Sequence, residues 1–227
     1  MLKHILCALL LLTFTALPAA AESKGQPIGT VSALEGQALV TNAKADIGTP
    51  VHMNDVIETQ ESARLRIEFL DGTVLTLGEK SILTVDDYVY MPSDESVKGK
   101  AHFSILRGPF LYISGLISKN DDPDVQFKTP YGSIGIRGTK FWGGLLDRSH
   151  VYDTADRMGG STEEFGVYVE TGEVVFKTNR GQSIVREGYG SFAKDIDSVP
   201  SSPKIWSDVD ISMALKQVTF SGEEQPE

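Results

Sequence analysis

Ala63-Arg64-Leu65-Arg66-Ile67-Glu68-Phe69, then Leu70-Asp71-Gly72, then Thr73-Val74-Leu75-Thr76-Leu77 is the stretch that decides the fold class. From Ala63 to Phe69 apolar and charged side chains alternate without a break. Successive side chains of an extended backbone point to opposite sides, so this is a strand with one buried face. A helical period would scatter the same residues around the axis. Asp71-Gly72 supplies a tight turn, because glycine tolerates positive φ, and 73–77 reads as the returning strand. Further strand-like runs occupy 81–86, 101–106, 109–113, 125–128, 133–136, 166–171, 174–178 and 182–186. Polar-glycine pairs such as Arg107-Gly108, Thr171-Gly172 and Glu187-Gly188 punctuate them. Many short strands at turn-bounded intervals predict an all-β body.

The segments 31–40 (VSALEGQALV), 102–113 (HFSILRGPFLYI) and 167–176 (VYVETGEVVF) each place a glycine between two apolar runs. Either this is a repeat of stacked β coils or it is the ordinary glycine punctuation of a β-rich chain. The expected fold is a solenoid-like stack of short strands, with a β-sandwich as the alternative. Near the end, Ser202 and Pro203 suit the N-cap and first position of a short helix reaching about Lys216. The expected organisation is a body over 22–200, this helix docked on it within 201–220, and a frayed tail over 221–227.

The N-terminus belongs to none of these. Met1-Leu2-Lys3-His4 is a short basic start, an apolar run follows to Leu17, and Ala19-Ala20-Ala21 precedes Glu22. That is the layout of a secretory signal peptide cleaved after Ala21. The apolar run is short for a membrane span, which needs about 20 residues. The single cysteine, Cys7, lies within it, and the rest of the chain has no thiol. Disulfide scaffolds and Cys-based zinc sites are therefore excluded. The 227 residues carry 21 basic and 31 acidic side chains, a net charge of -10, and loss of Lys3 with the signal makes it -11. Such a balance argues against a nucleic-acid partner and against docking on anionic lipid.

The inventory of reactive groups is thin. His52, His102 and His150 lack metal-ligand spacing and read as surface or strand histidines. Tyr131-Gly132-Ser133-Ile134-Gly135 departs from the G-x-S-x-G elbow at its first position. Gly188-Tyr189-Gly190-Ser191-Phe192-Ala193 fits a loose dinucleotide pattern but does not open a helix. Asn120-Asp121-Asp122-Pro123-Asp124 offers oxygens without the spacing of a calcium loop and reads as a solvated acidic loop. Asp86-Asp87 beside Tyr88 and Tyr90 suggests a carboxylate pair near sugar-stacking rings, but neighbours on a strand should face opposite ways. No catalytic residue, metal ligand or cofactor is assigned.

The most distinctive stretch is Lys128-Thr129-Pro130-Tyr131-Gly132-Ser133-Ile134-Gly135-Ile136-Arg137-Gly138-Thr139-Lys140-Phe141. Pro130 enforces an extended backbone before it, the glycines spaced by three permit a bulge or close approach, and Ile134 and Ile136 alternate into a core. Arg137, among apolar neighbours, is expected to have a carboxylate or carbonyl partner. Thr129, Pro130, Arg137, Gly138, Thr139 and Phe141, together with Asp71, Gly72 and Thr73 and the strand pair around Glu170-Thr171-Gly172-Glu173-Val174, resemble the FecR domain. That domain is the periplasmic part of iron-dicitrate-type transmembrane sensors. The resemblance covers about residues 28–193 and implies a non-enzymatic module for recognition, scaffolding or envelope signal relay, its motif residues structural. It also implies a periplasmic or secreted protein of a Gram-negative bacterium. Sigma-factor regulators of the family carry a cytoplasmic segment and a membrane helix ahead of this domain, where this chain has a signal peptide. The expected partner is a protein of the cell envelope or a glycan. A carbohydrate-active hydrolase or lyase, or a glycan-binding module, is the alternative. Edge strands and the segment 146–164, read as a long loop, are the expected contact surfaces.

Overall fold

The computed structural model describes residues 25–93, 97–119, 122–148 and 163–223. The expected signal peptide lies outside them. Among the described residues, no helix is long and apolar enough to cross a membrane. Among the described residues, sixteen strands form one sheet. In chain order β1 to β8 are Gly29–Glu35, Ala38–Val40, Ala43–Lys44, Pro50–Val51, Val56–Thr59, Arg64–Phe69, Val74–Leu77 and Ile82–Val89. Lys100–Arg107, Phe110–Ile113, Asp124–Thr129, Gly132–Asp147, Glu163–Lys177, Gln182–Arg186, Tyr189–Ala193 and Lys204–Ile205 are β9 to β16, and Asp208–Lys216 is helix α1.

The long hairpin β12–β13 organises the sheet. β13 pairs with β12 along one edge, so β12 meets its other partners on the opposite edge: β11 beside Gly132, Ser133, Ile134 and Gly135, β10 beside Lys140, Phe141, Trp142 and Gly143. From that split the sheet continues as two arms. The first arm runs β11, β9, β8, β5, β2, β3; the second runs β10, β7, β6, β1, β4. β13 divides in the same way, pairing with β14 through its later residues and with β15 through its earlier ones.

The result is an open sheet curled around one core, not the expected solenoid. Coils of a solenoid stack in parallel, whereas among the described residues only β9 and β11 pair in parallel. The glycine echo marks bends instead. At Gly36, Gly108 and Gly172, with φ of 75°, 87° and 87°, a ribbon leaves one arm and joins the other. Bending there needs positive φ and no side chain: a Cβ on Gly108 would stand 2.4 Å from Ser81 Cα, and one on Gly172 2.3 Å from Gly138 O.

The inner faces of the arms meet through aromatic side chains. Phe69 of the second arm stacks on Tyr88 of the first at 5.6 Å, and Phe127 of the first packs against Phe110 at 5.0 Å and Phe141 at 5.6 Å. Each such pair adds about 1 kcal/mol to the apolar area it buries.

The C-terminal segment crosses the outer face of the second arm. Its helix starts at Asp208, capped by Ser207, whose hydroxyl accepts from Asp210 N–H at 3.1 Å, and not at Pro203. The preceding residues are held extended because Ile205 and Lys204 pair with Tyr189 and Gly190. Trp206 then seats over glycines: a Cβ on Gly190 would lie 1.9 Å from its Nε1, and one on Gly166 2.9 Å from its ring. Phe192 at 4.7 Å and Tyr168 at 5.2 Å stack on it. The first residues of the expected frayed tail are tethered, since Glu35 accepts the Ser221 N–H and hydroxyl and Glu223 takes two hydrogen bonds from Arg66. The second arm is thus covered on both faces, while among the described residues no such strap crosses the outer face of the first.

Candidate binding face

The Asp71-Gly72-Thr73 motif is a clasp. Gly72, at φ 79°, closes the β6–β7 turn, and the Asp71 carboxylate is buried. It accepts hydrogen bonds from Thr73 N–H (3.1 Å), Thr73 Oγ1 (2.9 Å), the Tyr88 hydroxyl (2.9 Å) and Ile117 N–H (3.2 Å). A buried carboxylate without a cation is tolerable only when its lone pairs are filled in this way. Burial pushes the phenols beside it up, Tyr88 strongly and Tyr112 to about 12.

Thr129 and Pro130 build the β11–β12 hairpin. The Thr129 hydroxyl donates to Gly132 O at 2.9 Å and accepts from Tyr131 N–H at 3.1 Å, with Pro130 at the tip. Beyond it the backbone alternates Ile134 and Ile136 into the core, then bulges. Arg137 lies opposite Glu173 and Lys140 opposite Thr171, so one extra residue is accommodated on β12. Gly138, at φ 59°, carries that bulge. Thr139 turns inward, where Ser114 Oγ accepts its N–H at 2.7 Å, and Phe141 enters the core of the second arm. The alternation ahead of the bulge decides where Arg137 points: Ile134 and Ile136 face the core, so position 137 faces outward. It is exposed and makes no hydrogen bond or ion pair among the described residues, contrary to the partner expected for it. The motif is therefore a corner that turns one ribbon between arms and leaves a guanidinium outside.

Around Arg137 lies an open groove of about 400 Å³, lined by Asp124, Gln126, Gly135, Glu173 and Val175 among others. Its carboxylates are already committed: Asp124 to His102 at 2.7 Å, Glu173 to Arg186 at 2.9 Å and Asp122 to Lys98 at 2.7 Å. The hydrogen bond from His102 holds the Asp124 carboxyl below its ordinary range. Arg137 is the uncommitted charge of the groove. The sequence singles out Arg137 and, as one of the glycines spaced by three, Gly135, but not Gln126 or Val175, because only cross-strand register places Gln126 beside Gly135 and Gly135 beside Val175.

Other candidates resolve into structure. Asp86 and Asp87 both face outward because a register shift between Val85 and Asp87 makes Asp86 a bulged residue; Ser104 donates to Asp86 at 2.6 Å and Lys100 pairs with Asp87 at 3.2 Å. Tyr88 is buried and cannot stack on a sugar. His52 contacts Asp55 at 3.2 Å, while His150, Asn120 and Asp121 lie outside the described residues. Ser133 and Gly190 lie within strands. The expected 146–164 loop is shorter than its bounds, since Leu146 pairs with Glu164 and Asp147 with Glu163 in the β12–β13 hairpin; 149–162 lie outside the described residues. Among the described residues, no three His, Cys, Asp or Glu side chains converge as a metal site.

Residues 55–154 match the family model described as FecR protein. No curated protein matches the chain. Two crystal structures of a Parabacteroides distasonis protein provisionally described as an anti-sigma factor are similar to it, with TM-scores of 0.49 and 0.48 and 11% identity in each case. In both, the similarity covers 69% of this chain and 62% of the other.

Proposed function

We propose that this chain, which carries a FecR domain over residues 55–154, is an exported, non-enzymatic binding module that recognises a cell-envelope protein and takes part in signal relay. The observation that carries the reading is Arg137, uncommitted among the described residues, at the edge of an open groove on the outer face of β11, β12 and β13. A corner built from Gly138 and Gly172, with the Asp71 clasp behind it, holds the backbone that carries that charge on a paired sheet, so little backbone entropy is lost when a partner binds. The signal-peptide layout of 1–21 supports action in the periplasm or outside the cell. Strand sites of this kind suit recognition of a preformed partner surface better than acid–base chemistry, because the groove carboxylates Asp124 and Glu173 are already hydrogen-bonded to His102 and Arg186.

Formaldehyde crosslinking in intact cells expressing the tagged chain tests this. A discrete adduct should form with the wild type, survive washing, identify by mass spectrometry as an envelope protein and fall at least fivefold in R137E. An adduct equally strong in R137E, or a mature protein retained in the cytoplasm, would overturn the reading.

A further inference from the structure

We infer that the outer face of β11, β12 and β13 receives an extended acidic segment of a partner protein. This rests on the binding reading above and gives it a chemistry. Lys128, Ser133 and Lys177 stand in one cross-strand row, with Lys128 opposite Ser133 and Ser133 opposite Lys177. Both lysines are exposed and, among the described residues, neither makes an ion pair. Neighbouring strands lie about 4.8 Å apart, so the backbones of the two lysines flank Ser133 roughly 10 Å from each other. The next row is Gln126, Gly135 and Val175, and the one beyond it holds Arg137 opposite Glu173. At the centre, a Cβ built on Gly135 would have nothing within 4 Å. Three uncommitted cations therefore surround an open floor.

Their isolation is informative because the chain is acidic, with a net charge of -10. Carboxylates nearby have gone elsewhere, Asp124 to His102 and Glu173 to Arg186. The face is thus locally positive on a negative body, which favours an acidic partner and disfavours most other surfaces. Spacing selects the conformation. Ser133 and Arg137 are four residues apart on β12, about 13 Å at strand rise. Two acids at i and i+4 of an extended chain span that same distance, one reaching the lysine row and the other Arg137. On a helix, i and i+4 are only about 6 Å apart and cannot engage both.

The test uses the full mature chain and a fluorescein-labelled extended peptide with glutamates at i and i+4, read by fluorescence anisotropy. Its all-glutamine counterpart, polygalacturonate and phosphatidylglycerol vesicles are the comparison probes. The glutamate peptide should bind, weaken as salt rises, and lose at least tenfold in affinity to the K128E/K177E/R137E chain, whose melting temperature should stay within a few degrees. K204E, on β16, should bind as the wild type. Failure of the glutamate peptide to bind, equal affinity for the glutamine peptide, unchanged affinity of the triple variant, or binding only of polygalacturonate or vesicles would each overturn the inference. If the peptide fails while the cellular adduct still depends on Arg137, the binding reading survives and only the acidic segment is wrong.

Discussion

Asp71 and Tyr88 are joined twice: the Tyr88 hydroxyl donates to the Asp71 carboxylate at 2.9 Å and accepts the Asp71 N–H at 2.9 Å. Asp71 belongs to a turn of the second arm and Tyr88 to β8 of the first, so this pair fastens the curled sheet across its core. Ile117 N–H and Thr73 complete the arrangement. Asp71→Ala orphans several buried donors, each costing about 1 to 3 kcal/mol, and should lower stability by about 3 kcal/mol or more. Y88F, which removes one hydroxyl, should cost about 1 to 2 kcal/mol. Urea denaturation checks both; a cycle showing no coupling between the two changes would separate them.

Two glycines of the β12–β13 hairpin should respond differently. Gly172→Ala meets both a φ of 87° and a carbonyl 2.3 Å from the new Cβ, and should cost at least about 2 kcal/mol. Gly135→Ala opens onto empty space and should change stability by less than about 0.5 kcal/mol. Equal denaturant midpoints for the two would contradict the corner geometry.

Arg137→Ala should likewise leave stability within about 0.5 kcal/mol, because the side chain is exposed and unpaired. A loss of 2 kcal/mol would return Arg137 to a structural role.

The alternation in Ala63–Phe69 carried real information: Leu65, Ile67 and Phe69 are buried, Arg64 and Arg66 are not, and the Asp71-Gly72 turn brings β7 back beside β6. Alternation specifies which face is buried but not which strand becomes the neighbour. The parallel pairing of β9 with β11, and the split of β12 between β11 and β10, join residues remote in the chain and leave no local trace. The echo of glycines was legible, yet bends between arms and turns between coils need the same residue. Arg137 is expected to have a partner because apolar residues flank it in sequence, yet the alternation that buries Ile134 and Ile136 already turns position 137 outward, ahead of the bulge at Gly138. The Ser202-Pro203 pair misplaced the helix start for a similar reason, since proline suits extended backbone as well as a first helical turn. Lys128 and Lys177, standing at strand ends, gave no signal until register set them around Ser133.

Trp206 latches the C-terminal segment. Trp206→Ala should cost about 3 to 5 kcal/mol, and Gly190→Ala should approach that value by expelling the ring without touching it. Limited proteolysis should then cleave within 204–223 first. Resistance equal to the wild type in both variants would show that the strap is held by its ion pairs instead.

The buried phenols set a pH dependence. Tyr112 titrates at about 12 in the folded chain against about 10 when unfolded, and Tyr88 is also raised. The folded state therefore holds protons that the unfolded state releases. This contribution is complete below pH 10 and is lost as pH rises towards 12. Between pH 8 and pH 11 the urea midpoint of the wild type should fall further than that of Y112F. Parallel falls would exclude Tyr112 as a cause.

The central claim, that the outer face of β11 to β14 receives the partner, is tested most directly by a photo-crosslinking residue placed in turn at Gln126, Val175 and Ile184 on that face and at Val209 on the strap. Irradiation of intact cells should give one and the same adduct from the first three positions and none from Val209, with R137E abolishing it. Adducts from Val209 alone, or from all four positions alike, would contradict the account.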